Sequence, residues 1–132
     1  MITAVDSSAL ISIIAGEADA VDWVRTLAQA RTEGALVCCE VVYAEVGAGL
    51  SNQEELDRIL NALGIQFDAT QSSAAWQAGQ IFRKYRQQGG PRDHLIPDFL
   101  VGAHAQTQAD RLAAKDRGYL RRYFPSLVLL QP

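Results

Sequence analysis

Asp6, Glu45, Asp98 and Asp116 are carboxylates set in or beside apolar segments, in TAVDSSALISII, CCEVVYAEVGAGL, LIPDFLVGAHA and LAAKDRGYLRRYF. A carboxylate loses hydration in such surroundings and needs a compensating partner or a function. Brought into one cleft, four acids form an all-oxygen ligand set that suits Mg²⁺ or Mn²⁺ and leaves positions open for phosphate and water. Such a centre lowers the pKa of an attacking water and neutralises charge on a reacting phosphoryl group, which is the chemistry of phosphodiester hydrolysis. Each acid also has a plain structural use. Asp6 can cap a helix, Glu45 can be a solvated helix residue, Asp98 can meet a helix dipole, and Asp116 can pair with Lys115 or Arg117. Four such placements in one chain weigh more than any of them alone.

The other candidates are weaker. Asp93 sits in a polar loop, Glu40 and Glu45 are five apart and do not share a helix face, and Glu54, Glu55 and Asp57 read as a solvated first turn. His94 and His104 stand ten residues apart, with no ligand spacing. Cys38 and Cys39 are adjacent, so they staple nothing and read as two small buried residues in a strand.

The elements that must position the acids are short and alternate in type. ITAV at 2–5 reads as a buried strand ending at Asp6, with Ser7 and Ser8 as N-cap residues for a helix through ALISIIAG. A helix over Asp19–Gln29 follows, then a strand at ALVCC, 35–39, and a helix through VVYAEVGAGL. Ser51 with Glu54 suggests a capping box for a helix ending at Gly64, and IQF at 65–67 reads as a strand. A long amphipathic helix runs from Thr70 to about Gln88, broken by Gly89-Gly90-Pro91. Pro97 opens a helix at its first position. RLAA at 111–114 is a fourth strand, followed by Asp116 and a turn, and VLL closes the sheet. Strands separated by helices predict a parallel sheet covered on both faces, an α/β/α sandwich formed by residues 1–132 as one domain. Ligands in such sheets bind beyond the carboxyl ends of the strands, where Asp6 and Asp116 both fall.

Composition bounds the function classes. Hydrophobic residues make up 48% and charged residues 20% of 132 residues, ordinary for a globular domain. No apolar run reaches the ~18 residues of a membrane span, and the start lacks a basic leader. The expectation is therefore a cytoplasmic protein with no membrane segment. The net charge of −3 hides an asymmetry: residues 1–70 carry 11 acids and 3 bases, residues 71–132 carry 4 acids and 9 bases. Bases cluster at Arg83, Lys84, Arg86 and Arg92, and at Lys115, Arg117, Arg121 and Arg122, a distribution that can attract a polyanion. No P-loop and no G-x-S-x-G elbow is present. A receiver-like or dehalogenase-like phosphoacceptor would need further acids beside Asp6, where Ser7 and Ser8 stand instead.

VDSSALI around Asp6, VVYAEV around Glu45, IPDFLVGAHA around Asp98 and AAKDRGYLRRYFPSL around Asp116 resemble, in order and spacing, the PIN-domain ribonucleases. The closest likeness is to VapC-type toxins of type II toxin–antitoxin pairs. The resemblance implies a metal-dependent endoribonuclease using Mg²⁺ or Mn²⁺, with Asp6, Glu45, Asp98 and Asp116 as its catalytic acidic cluster. Asp6 and Asp98 carry over as direct metal ligands, Glu45 supports them, and Asp116 often acts through water. Ser8 matches a small polar position that hydrogen-bonds a ligand. The resemblance further implies an RNA substrate, a homodimer and a VapB-type antitoxin that covers the cleft. One departure is Ala114, where many relatives carry Thr or Ser. Two alternatives remain open: a PIN-like nuclease of RNA processing, and a non-catalytic RNA-binding PIN-like module. The basic cluster Lys115, Arg117, Arg121 and Arg122 is the expected RNA contact. Neutralising Arg117, Arg121 and Arg122 together is expected to weaken RNA binding and flatten its salt dependence, measured by anisotropy titrations at several ionic strengths. An unchanged slope would count against this patch.

Overall fold

The computed structural model describes residues 1–91, 94–115 and 118–132. Its element order is β1 (Thr3–Val5), α1 (Ser7–Ala15), α2 (Ala20–Glu33), β2 (Leu36–Cys38), α3 (Glu40–Gly47), α4 (Gln53–Leu63), β3 (Ile65–Phe67), α5 (Ser72–Gln87), α6 (Ile96–Gln108), β4 (Arg111–Ala113), α7 (Tyr119–Tyr123) and β5 (Val128–Leu130). The five strands form one all-parallel sheet in the order β3-β2-β1-β4-β5. Strands β1 and β2 are buried throughout, whereas the edge strands β3 and β5 are partly exposed. This is why TAV and LVC are continuously apolar or small rather than alternating.

Parallel strands need crossovers, and these are right-handed. From β1 the chain steps through β2 to β3, which puts α1 to α4 on one face. It then returns past β1 to β4 and β5, which puts α5 to α7 on the other. Contacts between α1 and α2, α2 and β2, and α3 and α4 belong to the first layer; contacts between α5 and α6 and of α6 with β1 and β4 belong to the second. The expected α/β/α sandwich is thus observed, and the direction of winding reverses between β1 and β4.

Helix faces follow the 3.6-residue period. Trp23, Leu27 and Ala30 of α2 are buried, as are Val42 and Val46 of α3 and Leu56 and Leu60 of α4. On the opposite layer Phe99 of α6 is fully buried at the centre of an aromatic cluster. Its ring centroid lies 5.3 Å from Phe82, 5.2 Å from Tyr85, 6.0 Å from Tyr119 and Tyr123, and 6.3 Å from Phe124. Several of these are edge-on or tilted packings, which favour the ring quadrupoles. The cluster locks α5, α6 and α7 together.

Several boundaries differ from expectation. The N-cap of α1 is Asp6 itself, accepting from Ser8 N at 3.3 Å, and the two serines lie inside the helix. The cap of α4 is Asn52, whose side chain accepts from Glu55 N at 2.9 Å, while Glu55 Oε2 accepts from Ser51 N at 3.4 Å. The capping arrangement is therefore shifted by one residue from Ser51 and Glu54, because an amide carbonyl serves the first turn as well as a hydroxyl does. Helix α2 runs four residues beyond Gln29 to Glu33. Helix α7 falls where only a turn was expected; its five residues are too few to show a helical period. Cys38 ends β2 and Cys39 caps α3, both buried as expected.

Gly102 fits a close approach of α6 to the residue that ends α7. A Cβ built there would lie 2.5 Å from Cε2 of the buried Phe124 ring. Gly102→Ala is expected to destabilise the protein by about 1–3 kcal/mol through overpacking, read as a lower urea midpoint at unchanged m-value. An unchanged midpoint would show that Phe124 can move aside.

Candidate functional site

The site is organised by the point at which the sheet changes winding direction. In open α/β sheets the crevice outside the carboxyl ends of the strands at such a switch point is where ligands bind. Here β1 delivers Asp6 and β4 delivers Ala114 and Lys115 to that edge. The two strands stay paired to their ends, since Asp6 N donates to Ala113 O at 2.9 Å.

Asp6 is 4% exposed. Its carboxylate oxygen Oδ2 accepts from the Ser8 hydroxyl at 2.6 Å as well as from Ser8 N. The Ser8 hydroxyl in turn accepts from Lys115 N at 3.1 Å. One hydroxyl therefore joins the first turn of α1, the carboxylate of Asp6 and the chain leaving β4. Asp6 also lies at the N-terminus of α1, where unpaired amides and the helix dipole favour negative charge. A buried carboxylate is tolerable under those conditions.

Glu45 enters from α3. It is exposed, and its Oε1 accepts from the buried Ser7 hydroxyl at 3.3 Å. The pair Ser7 and Ser8 thus divides its labour: one serine reaches Glu45 and the other Asp6. The contact of α1 with α3 carries this link.

Asp98 occupies the third position of α6. That helix leads into the start of β4, so its N-terminus points to the same carboxyl edge of the sheet. Asp98 Oδ2 accepts from Leu95 N at 3.0 Å, which closes one half of a capping box around a Leu cap that has no acceptor of its own. His94 Nδ1 lies 3.7 Å from the same oxygen. The next residue, Phe99, is the hub of the aromatic cluster, so Asp98 is carried on one of the best-anchored points of its layer. Pro97 stands at the second position of α6 and not the first as expected, because the helix already opens at Ile96.

The arrangement of the expected site residues is now definite for most of them. Ser7 ties Glu45 to the segment that carries Asp6, and Asp98 stands at the helix start facing the same edge. Among the described residues, no group of three His, Cys, Asp or Glu side chains is close enough to hold a metal ion. Asp116 and Arg117 lie outside the described residues, as do Arg92 and Asp93. The donor chemistry of Asp6, Glu45 and Asp98 is oxygen only, which fits a hard divalent cation and not zinc in a thiolate site.

Lys115 stands in a different setting from an open basic patch. Its ammonium pairs with Glu17 at 3.1 Å and Asp19 at 3.3 Å. The hydrogen bond to Glu17 pushes the Lys115 pKa up, and the same bond, with a second from Ser12, holds the Glu17 carboxyl below its usual range. Lys115 is thereby a strap from the end of β4 to the α1–α2 connection. Arg121 and Arg122 lie on α7, with the Arg122 guanidinium 5.3 Å from the Tyr123 ring centroid.

Three features escaped the sequence reading. Ser7 has a partner in Glu45 that only the pairing of α1 with α3 reveals. His94 is brought beside Asp98 and stacks on Tyr119 with centroids 4.2 Å apart; its position four residues before Asp98, across the helix start, was the available signal. His104 is buried and meets Asp68 Oδ2 at 2.9 Å, a pair that braces α6 against the end of β3. Glu40 is likewise structural, accepting from Thr70 N at 2.8 Å and its hydroxyl at 3.0 Å. The Cys38 thiol is pushed up to about 12, first by burial and then by Cys39 and Asp68, so it stays neutral at ordinary pH and makes no nucleophile.

Fold and edge together define a doubly wound α/β protein with Asp6 at its switch point. The PIN domain family model matches residues 3–125, and the chain belongs to that family. Comparison with curated protein sequences finds no match. Among solved structures, a chain of VapBC2 from Rickettsia felis bound to a promoter DNA fragment is similar with a TM-score of 0.73 at 17% identity, covering 100% of this chain and 99% of that one. A chain of VapBC-1 from nontypeable Haemophilus influenzae gives 0.72 at 18%, covering 99% and 98%. One from FitAcB of Neisseria gonorrhoeae gives 0.63 at 19%, covering 98% and 96%. At such identities the likeness is one of fold.

Ser8→Ala removes an acceptor from Lys115 N and a donor from Asp6 at once. It is expected to cost about 1–3 kcal/mol, measured by urea unfolding, and Ser8→Thr is expected to retain most of that stability because it keeps the hydroxyl. Equal midpoints for wild type and Ser8→Ala would show that the bridge contributes nothing.

Proposed function

We propose that the protein is a metal-dependent endoribonuclease and the toxin of a toxin–antitoxin pair, with Asp6, Glu45, Asp98 and Asp116 as its acidic centre. The observation that carries this reading is the placement of Asp6 at the winding switch point, bridged by Ser8 to the chain leaving β4. Asp6 and Asp98 would hold Mg²⁺ or Mn²⁺ directly, with Glu45 and Asp116 supporting them. When bound there, such an ion supplies Lewis-acid polarisation of the phosphodiester and activation of the attacking water.

The chain's own residues do the positioning. Ser8 fixes the rotamer of Asp6 and keeps one of its oxygens occupied. Ser7 steers Glu45 toward the same edge. The Leu95 amide orients Asp98, and His94 beside it can donate to a phosphate oxygen. Burial of Asp6 excludes water from one side of the centre, which strengthens its attraction for a cation.

The reading extends to partners. One of the similar structures is by name a toxin–antitoxin complex, from Klebsiella pneumoniae, and a VapB-type antitoxin covering the acidic cleft is the corresponding partner here. The same reading takes the chain as a homodimer, and Trp76, 70% exposed on α5, is an apolar surface that a second copy can cover. No helix among the described residues is long and apolar enough to cross a membrane.

The test is cleavage of RNA by purified protein in Mg²⁺, Mn²⁺ or EDTA. Asp6→Asn and Asp98→Asn are each expected to lower cleavage by about a hundredfold or more while leaving the circular dichroism spectrum unchanged. Full activity in EDTA, or in a folded Asp98→Asn variant, would overturn the mechanism.

A further inference from the structure

Beside Asp98, between the end of α5, the Gly89–Pro91 turn and α7, lies a cavity of about 380 Å³. Its lining includes the rings of Tyr85, His94, Tyr119 and Tyr123, with Gln88 and Arg122 among the polar members. Tyr85 and Tyr119 are buried and belong to the aromatic cluster, so these two walls are rigid. Gln88 and Arg122 are exposed. A second cavity of about 330 Å³ adjoins it, sharing Gln88, Arg122 and Tyr123 and adding Lys84. The two form a path that starts beside Asp98 and runs out over basic residues.

We propose that this path is the track of single-stranded RNA next to the scissile phosphate, with one unstacked base held in the aromatic cavity and the following phosphates met by Arg122 and Lys84. The proposal rests on the nuclease reading above and names a binding site within it. Tyr85 and Tyr119, buried, back the cavity, and the half-buried rings of His94 and Tyr123 are the faces on which any base can stack, without regard to sequence. A guanidinium that already lies over an aromatic ring, as Arg122 does over Tyr123, can take a base or a phosphate at the same place. Among the described residues Lys84 and Arg122 form no ion pair, unlike Lys115, so their charge is available to a polyanion. A base can enter such a cavity only when it has left its stack, which selects loops and single strands over duplex. His94 joins the two functions, since it contributes a ring to the cavity and lies 3.7 Å from Asp98.

The experiment is fluorescence anisotropy in EDTA, so that binding is read without cleavage, using a labelled oligoadenylate and a blunt RNA duplex. The wild type is expected to bind the single strand more tightly. Tyr123→Leu is expected to weaken single-strand binding about tenfold and to leave the duplex unaffected. Lys84→Gln combined with Arg122→Gln is expected to flatten the salt dependence for the single strand, and Arg58→Gln on α4 to change nothing. Because Tyr123 is partly buried, its variant is checked by thermal unfolding, and Gln88→Ala, an exposed change, is expected to weaken the single strand as well. Equal affinity for single strand and duplex, or unaltered binding by both folded Tyr123→Leu and Gln88→Ala, overturns the track. If the wild type cleaves RNA in Mg²⁺ while these variants bind normally, the cavity is refuted and the nuclease reading stands. If the wild type neither binds RNA in EDTA nor cleaves it in Mg²⁺ or Mn²⁺, both fall; if it cleaves without binding in EDTA, only the track falls.

Discussion

Where β1 and β4 part, one hydroxyl holds together three things that would otherwise separate. The chains leaving these neighbouring strands depart into opposite helical layers, as a doubly wound sheet requires. The Ser8 hydroxyl spans the gap they leave, donating to Asp6 and accepting from Lys115 N. A serine suits this place because a hydroxyl can donate and accept at once. Alanine would leave an amide without an acceptor. The same short bridge joins Asp6, the first turn of α1 and the chain leaving β4.

The second layer solves a different problem, that of placing Asp98 at the start of α6. Its answer is packing. Phe99 is surrounded by rings from α5 and α7, and Gly102 lets Phe124 approach the α6 backbone. Asp98 sits one residue before this hub, so displacing it would disturb the aromatic cluster. Rigid support on one side and a hydrogen-bonded bridge on the other leave the carboxyl edge with little freedom. On the proposed reading, acids that must stay near one another in the absence of a cation benefit from that stiffness, because like charges would otherwise push the side chains outward.

Much of this was legible in the residues. Continuous apolar triplets at TAV and LVC give buried parallel strands, and Gly64 and Pro97 mark a helix end and a helix start because their backbone chemistry permits little else. The acids at 6, 45 and 98 stood out because each interrupts an apolar run. What could not be read depends on contacts between distant segments. Ser7 and Ser8 looked like caps because hydroxyls before an apolar helix usually are. The carboxylate of Asp6 took the capping position one residue earlier and freed both hydroxyls for long-range bonds. Helix α7 is one short turn, below the length at which a period shows. Lys115 resembled its basic neighbours in sequence, and only the fold sets it against Glu17 and Asp19.

That engagement of Lys115 changes how the charge asymmetry works. Acids that attract a cation also repel the phosphates of a nucleic acid, by about 1 kcal/mol for a pair of charges at ~4 Å in water and more at a partly buried edge. The repulsion has to be offset by positive charge placed beyond the acids and not among them, since a lysine inside the cluster would neutralise the carboxylates it touches. The structure separates the two. Lys115, nearest to the acids in sequence, is withdrawn by two carboxylates of the α1–α2 connection, and Lys84 and Arg122 flank the outer path on α5 and α7. On the proposed reading, a chain whose net charge is only −3 presents an acidic centre and a basic approach side by side, because the sheet topology assigns the two to different elements.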